Sequence, residues 1–253
     1  MFDRLEANEG AFGAFVMLGD PTPEASAAIL DDLVAGGADM LEVGIPFSDP
    51  VADGPTIQAA AERALAAGTT PAHCFAVLRE FRARHPDVPV GILTYANLVL
   101  APGRDAFYRA CVESGVDSVL VADVPAFEAE PYAQAARAHG IDHVMIAATN
   151  TPDETVERLA TLGSGYTYCV ARAGVTGADA QVQLDHGPLF AALDTHGAPP
   201  PVLGFGISRP DHVREALAAG AAGVISGSAI VQRLHDGADV KSFVAEMKDA
   251  TRR

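Results

Sequence analysis

Short apolar stretches alternate with longer segments of helical periodicity along the whole chain. Eight stretches have the length and composition of strands, at residues 14–18, 39–43, 88–95, 117–122, 143–147, 166–171, 201–205 and 222–226. Most of them are continuously apolar, which is typical of parallel strands that are covered on both faces. The pattern therefore predicts a parallel sheet with helices on its surface.

The segments between these stretches carry helix signals. Six clear examples cover residues 23–37, 70–85, 103–115, 130–140, 151–163 and 209–220. Several open with proline or an acidic residue and stop at glycine, which are the usual start and stop signals. Eight strand–helix units in 253 residues predict an α/β protein with a (β/α)8 TIM barrel, and a doubly wound open sheet is the alternative.

The chain contains no obvious linker or low-complexity segment. We therefore expect a single catalytic barrel domain over residues 1–253. The first ten residues, MFDRLEANEG, predict a short extra helix across the bottom of the barrel.

Composition narrows the class of protein. The formal charge of −16 argues against nucleic acid as a partner, because phosphate backbones require clustered Lys and Arg. No apolar run approaches the length of a membrane span, and the N-terminus lacks the features of a secretory signal. The three cysteines have no zinc-binding spacing. These features predict a soluble cytoplasmic protein.

Residue types that are missing from the strands exclude several kinds of barrel chemistry. The only lysines are Lys241 and Lys248, near the C-terminus, so a Schiff-base lysine on a barrel strand is excluded. Of the eight histidines only His143 falls in a predicted strand, whereas metal-assisted aldolases require converging His and carboxylate ligands. The sequence therefore predicts acid–base chemistry by carboxyl groups, without a metal.

Two acidic residues lie where a barrel places its catalytic groups. Glu42 is inside the apolar second strand, and Asp53 follows in the proline-rich loop, within LEVGIPFSDPVADGP (41–55). A carboxyl group in an apolar strand costs several kcal/mol unless it is protonated, paired or part of a site. Burial would raise its pKa toward neutrality, which suits a general acid or base. A structural ion pair with a buried arginine is the alternative.

Glycine and serine cluster after the last two strands. The sequences GFGIS (204–208) and SGSA (226–229) each precede a helix, so backbone N–H groups and the positive helix end would face the top of the barrel. These positions are the usual phosphate site of the fold, although glycines there can also serve only as tight turns.

Two further features lie on and after the sixth strand. The segment RAGVTGADA (172–180) has the small, polar composition of a mobile lid, and equally that of a plain surface loop. Tyr166 and Tyr168 are two residues apart and would share one strand face, either as core residues or facing a substrate.

Several blocks in order along the chain resemble the tryptophan synthase α-subunit family. They are LEVGIPFSDPVADGPTIQ (41–58), SVLVADVP (118–125), YCVARAGVTGA (168–178), GFGISRPDHV (204–213) and AGAAGVISGSAIV (219–231). The resemblance implies retro-aldol cleavage of indole-3-glycerol phosphate to indole and glyceraldehyde 3-phosphate. It also implies an α2β2 complex, in which a β-subunit takes the indole and carries the pyridoxal phosphate, while the α-subunit has no cofactor.

The resemblance also implies roles for individual residues. Glu42 would be the general acid and base, Asp53 would accept from the indole N–H, and Tyr168 would line the site. The other implied positions are a phosphate site at Gly177, Gly206, Gly227 and Ser228, an indole pocket at Phe15, Ile57, Leu93 and Phe205, and a lid with Arg172 and Thr176. The loop of residues 46–50 would meet the β-subunit.

Other functions remain compatible with these residues. The chain could be a free-standing indole-3-glycerol phosphate lyase that releases indole, or mainly an allosteric activator of a β-subunit. A phosphate-binding isomerase is disfavoured, because the first strand, AFVML, has no acid or base.

Overall fold

Eight parallel strands close into a barrel in which each strand pairs with its neighbours in sequence and β8 pairs with β1. The computed structural model describes residues 9–170, 186–204 and 206–252. The strands are β1 (Ala11–Met17), β2 (Met40–Gly44), β3 (Val90–Thr94), β4 (Ser118–Val121), β5 (Asp142–Ala148), β6 (Thr167–Val170), β7 (Pro201–Leu203) and β8 (Gly223–Ser226). The predicted TIM barrel is confirmed, and the open-sheet alternative is wrong.

Helices surround the barrel. They are α1 (Pro23–Ala35), α2 (Pro55–Ala66), α3 (Pro71–Arg84), α4 (Ala96–Leu100), α5 (Arg104–Glu113), α6 (Glu130–Ala138), α7 (Asp153–Leu162), α8 (Gly187–Thr195), α9 (Pro210–Ala218), α10 (Ser228–His235) and α11 (Val240–Asp249). A 3-10 turn, Ala126–Glu128, follows β4. All six helices predicted from clear sequence signals are present.

The ends of elements differ from prediction more than their existence does. β1 begins at Ala11, three residues before the predicted start, because Phe12 and Gly13 also pair with β8. β7 ends at Leu203, and residue 205 lies outside the described part of the chain. The predicted N-terminal helix falls mostly on residues 1–8, also outside it, and Glu9 forms an isolated antiparallel bridge with Arg252.

Alternate residues of each strand supply two apolar cores. In β1, Phe12 and Val16 pack between the barrel and its helices, while Phe15 and Met17 point into the barrel interior. All four are at most 5% exposed. Both faces of the strand are therefore covered, which explains why the strands are continuously apolar in sequence.

A lysine-centred cluster fastens the last helix to the base of the barrel. The Lys248 ammonium on α11 binds Asp39 Oδ2 at 2.9 Å and Glu9 Oε1 at 3.1 Å. The same Asp39 oxygen accepts a hydrogen bond from the backbone N–H of Phe12 at 2.7 Å. All three charged side chains are less than 20% exposed. Lys248 therefore links the C-terminal helix to β1 and to the start of β2.

We expect Lys248→Met to lower the free energy of unfolding by about 2 kcal/mol, because it leaves the partly buried Asp39 without its cation and leaves Glu9 with only the exposed Arg252, 3.7 Å away. Urea denaturation would measure the loss. Lys241→Met, on the exposed side of the same helix, is the matched control and should change stability by less than about 0.5 kcal/mol. Equal effects of the two substitutions would contradict this account of the cluster.

Candidate active site

The Glu42 side chain lies inside the barrel, in the middle of β2. Its register neighbours are Phe15 on β1 and Gly91 on β3. The residue is 1% exposed, and burial is the main cause that raises the pKa of its carboxyl group to about 7. The carboxyl group can therefore exchange a proton near neutral pH, as a general acid or base must.

One oxygen of this carboxyl group is fixed and the other is not. The Tyr166 hydroxyl donates a 2.9 Å hydrogen bond to Glu42 Oε1, whereas Oε2 has no hydrogen-bond partner among the described residues. Oε2 is thus the oxygen that remains available to a substrate.

The second carboxyl group, that of Asp53, lies in the loop between β2 and α2. Its backbone is held at both ends, since its N–H donates to Pro50 O at 3.1 Å and its carbonyl accepts from Gln58 Nε2 at 2.7 Å. Asp53 is 6% exposed, and burial raises the pKa of its side chain to about 6, against the lowering effect of a hydrogen bond from Tyr95. Asp53 is therefore both buried and rigidly placed.

The two carboxyl groups differ in their affinity for a proton. Asp53 is ionised at a lower pH than Glu42, and its negative charge adds to the effects that raise the Glu42 pKa. Near neutral pH the pair thus favours a protonated Glu42 beside an ionised Asp53. In many active sites two neighbouring carboxyl groups have different pKa values because their environments differ. The group with the higher pKa then acts as the acid while the other stays ionised.

Tyr168 lies close to this pair but makes its hydrogen bond elsewhere. Burial raises the pKa of Tyr168 well above its ordinary value, and the nearby charges of Glu42 and Asp53 raise it further. Its hydroxyl donates to Gly204 O at 3.1 Å, and a Cβ on Gly204 would overlap the tyrosine ring. The sequence did not identify Tyr166 as the direct partner of Glu42; the two-residue spacing of the tyrosines was the only available signal.

Three of the residues predicted for a phosphate site, Gly206, Gly227 and Ser228, lie at two neighbouring strand ends. Gly206 follows β7 with a φ of 76°, a left-handed conformation that favours glycine, and Gly227 caps α10, whose first residue is Ser228. The Ser226 hydroxyl donates to Ile207 O at 2.6 Å and so ties the end of β8 to the loop after β7. In the first turn of α10 the Ile230 N–H donates to Gly227 O at 2.9 Å, whereas the N–H groups of Ser228 and Ala229 have no acceptor within the helix.

Three of the four residues predicted for the indole pocket lie together in the barrel interior. Phe15 and Ile57 belong to one buried cluster with Tyr168, and Leu93 packs against it. Gly227 lies beside Phe15, because a Cβ on this glycine would be 3.5 Å from the ring. The cluster also contains residues that sequence reasoning did not name, Leu120, Ala148 and Val170.

Four of the predicted site residues lie outside the described part of the chain. They are Arg172, Thr176, Gly177 and Phe205. The residues that are described include no group of three or more His, Cys, Asp or Glu side chains placed to hold a metal ion. Within the same ranges, no helix is both long and apolar enough to cross a membrane.

Comparison with known proteins places this geometry in a family. The family described as "Tryptophan synthase alpha chain" matches residues 2–252. The tryptophan synthase alpha chain of Aeromonas salmonicida is 56% identical over 262 aligned positions, which cover 100% of this chain and 98% of that relative.

Solved structures with the same fold include subunits of tryptophan synthase complexes. A chain of Mycobacterium tuberculosis tryptophan synthase has a TM-score of 0.92 at 29% identity, covering 100% of this chain and 96% of that one. A second structure is that of the tryptophan synthase a2b2 complex from Pyrococcus furiosus, which was studied for the mutual activation of that complex. One of its chains has a TM-score of 0.83 at 32% identity, covering 96% of this chain and 97% of that one. The protein therefore belongs to the tryptophan synthase alpha chain family.

Proposed function

We propose that Glu42 and Asp53 carry out the lyase reaction of this family, the cleavage of indole-3-glycerol phosphate to indole and glyceraldehyde 3-phosphate. The observation that carries this assignment is the buried carboxyl pair itself, with pKa values of about 7 and about 6. One carboxyl group can thus deliver a proton while its neighbour holds a negative charge.

The reaction uses the two groups in turn. Protonated Glu42 gives its proton to indole C3, and the ring nitrogen becomes positively charged. Asp53 accepts a hydrogen bond from this N–H and stabilises the charge. The bond from C3 to the glycerol carbon then breaks, its electron pair returns to the ring, and the hydroxyl proton passes to Glu42 as the aldehyde forms. Glu42 ends the cycle protonated, so one residue serves as acid and base.

The phosphate of the substrate is held at the ends of β7 and β8. Gly206, Gly227 and Ser228 offer backbone N–H groups and one hydroxyl, and α10 begins at Ser228, so the positive end of its dipole lies at these residues. The resemblance adds Gly177, and it assigns the indole to the apolar cluster at Phe15 and Ile57. Anchoring the phosphate and the ring at separate points would hold C3 near Glu42.

The partner of the chain is a tryptophan synthase β-subunit, and we infer that it docks beside the Asp53 loop. Among the described residues, three of the five exposed large apolar side chains, Val51, Leu100 and Phe127, follow the ends of the adjacent strands β2, β3 and β4. Apolar side chains clustered on one face of a protein are typical of a protein–protein contact. We expect an α2β2 complex, with pyridoxal phosphate only in the β-subunit.

We place the reaction in the cytoplasm. Cys74, Cys111 and Cys169 are all free and buried, and burial raises the pKa of each thiol to about 12. Three unpaired thiols are usual in a reducing compartment and unusual in secreted proteins.

Indole release by the purified chain from indole-3-glycerol phosphate tests the function directly. We expect slow release alone and at least a tenfold rise when a tryptophan synthase β-subunit is added. Fast release that the partner does not change would instead indicate a free-standing lyase. No indole under either condition would refute the proposed reaction.

Replacing Glu42 tests its role as acid and base. We expect Glu42→Gln to lower kcat by at least about 100-fold, because the amide keeps the shape and cannot transfer the proton. Calorimetry should show glycerol 3-phosphate binding within about threefold of wild type, as the phosphate site lies on other strands. Glu62→Gln, exposed on α2, is the matched control and should keep normal turnover. Near-normal kcat in the Glu42 variant would show that the acid lies elsewhere.

The pH dependence of kcat/KM should be bell-shaped. Activity should rise as Asp53 ionises, with a pKa of about 6, and fall as Glu42 loses its proton, with a pKa of about 7. The two limbs belong to the coupled pair and report the free enzyme. Asp53→Asn should abolish the acidic limb and move the alkaline limb to lower pH, because the Asp53 charge helps to raise the Glu42 pKa. An acidic limb that survives this substitution would exclude Asp53 as its source.

A further inference from the structure

Tyr95 contacts both the catalytic loop and the segment that precedes it. This residue follows β3, is 2% exposed, and places its hydroxyl beside residues 52 and 53. The hydroxyl donates to the Asp53 carboxyl group and accepts from the backbone N–H of Ala52 at 3.3 Å. One phenol therefore fixes both the side chain and the adjacent backbone of the catalytic aspartate.

The ring of the same tyrosine packs on the exposed part of this loop. The ring centroids of Tyr95 and Phe47 are 5.3 Å apart and the planes are inclined by 30°. Phe47 is partly exposed and is followed by the exposed residues Ser48 and Asp49. Tyr95 thus bridges the partner-facing surface and the buried carboxyl group within a single side chain.

The backbone around Tyr95 is also held. The next residue, Ala96, donates its N–H to Asp123 Oδ1 at 2.7 Å, in the loop after β4. Tyr95 itself precedes α4, the helix that ends at the exposed Leu100. A displacement of the loops after β2, β3 or β4 would therefore move the phenol relative to Asp53.

We propose that Tyr95 is a positioning residue that holds Asp53 in its catalytic orientation and connects it, through Phe47, to the surface that binds the β-subunit. The proposal rests on the proposed function, because it assigns to Asp53 the stabilisation of charge on the indole ring. Tyr95 does not transfer a proton in this scheme. It sets the position and the ionisation of the group that contacts the substrate.

The hydrogen bond from Tyr95 changes the Asp53 pKa in a definite direction. A hydrogen bond donated to a carboxylate favours its ionised form, so loss of the phenol should raise the Asp53 pKa above its value of about 6. Replacing Phe47 should instead remove its ring contact with Tyr95 and weaken the connection between the surface and Asp53. The hydrogen bond from Tyr95 to Asp53 should remain. The two functions of Tyr95 can therefore be separated by substitution.

Tyr95→Phe tests the hydrogen bond. We expect kcat/KM near pH 7 to fall about tenfold and the acidic limb of its pH profile to move to higher pH. Tyr108→Phe is the matched control, since Tyr108 is also fully buried and its hydroxyl has no hydrogen-bond partner among the described residues. It should leave the pH profile in place. An unmoved acidic limb in Tyr95→Phe, with wild type active, would overturn the proposal.

A double-mutant comparison decides whether Tyr95 acts through Asp53. In an Asp53→Asn background, Tyr95→Phe should change kcat/KM by less than about twofold, because the group that it positions is already lost. Independent, multiplying losses would overturn the proposal. If the proposed function itself is wrong, the wild-type protein will release no indole. That outcome differs from the multiplying losses that would overturn the role of Tyr95.

Phe47→Leu tests the link to the partner. We expect the rise in kcat/KM on adding the β-subunit to be at least threefold smaller than for wild type, measured at a saturating concentration of the partner. An unchanged rise would show that the ring contact does not couple the surface to Asp53.

Discussion

Removing the Glu42 carboxyl group from water is the constraint on which the site depends. The barrel interior leaves one carboxyl oxygen bonded to Tyr166 and the other without a partner among the described residues. Burial therefore disfavours the charged form, and the nearby negative charge of Asp53 disfavours it further. The result is an acid that keeps its proton close to neutral pH. An exposed glutamate would already be ionised there and could not protonate a carbon atom.

The cost of this arrangement falls on the stability of the fold. The Glu42 pKa is raised from 4.5 to about 7, so the folded chain holds a proton that the unfolded chain releases. The associated stability is complete below pH 4.5 and is lost as the pH rises to about 7. The shift corresponds to about 3 kcal/mol, a large part of the stability of a typical domain. The lysine-centred cluster at the barrel base and the covered strands help to offset it.

A closed barrel brings segments that are distant in sequence into contact, and the sequence alone does not show which side chains meet there. The eight strands and the positions of Glu42 and Asp53 followed from apolar runs and from a carboxyl group inside one of them. The hydrogen-bond partners of those carboxyl groups could not be predicted from the same patterns. Tyr166 lies 124 residues from Glu42, and only the register and tilt of the strands decide that its hydroxyl, and not that of Tyr168, reaches the carboxyl group. Tyr95 likewise became identifiable only through its contacts.

The most direct test is to titrate the Glu42 carboxyl group itself. Infrared difference spectra between wild type and Glu42→Gln, recorded from pH 4 to pH 9, would follow the carbonyl band of the protonated acid. This band should persist well above pH 5 and disappear with a midpoint of about 7, because burial raises the Glu42 pKa to about that value. A band that is lost by about pH 5, as for an ordinary glutamate, would contradict the claim that burial keeps this group protonated for catalysis.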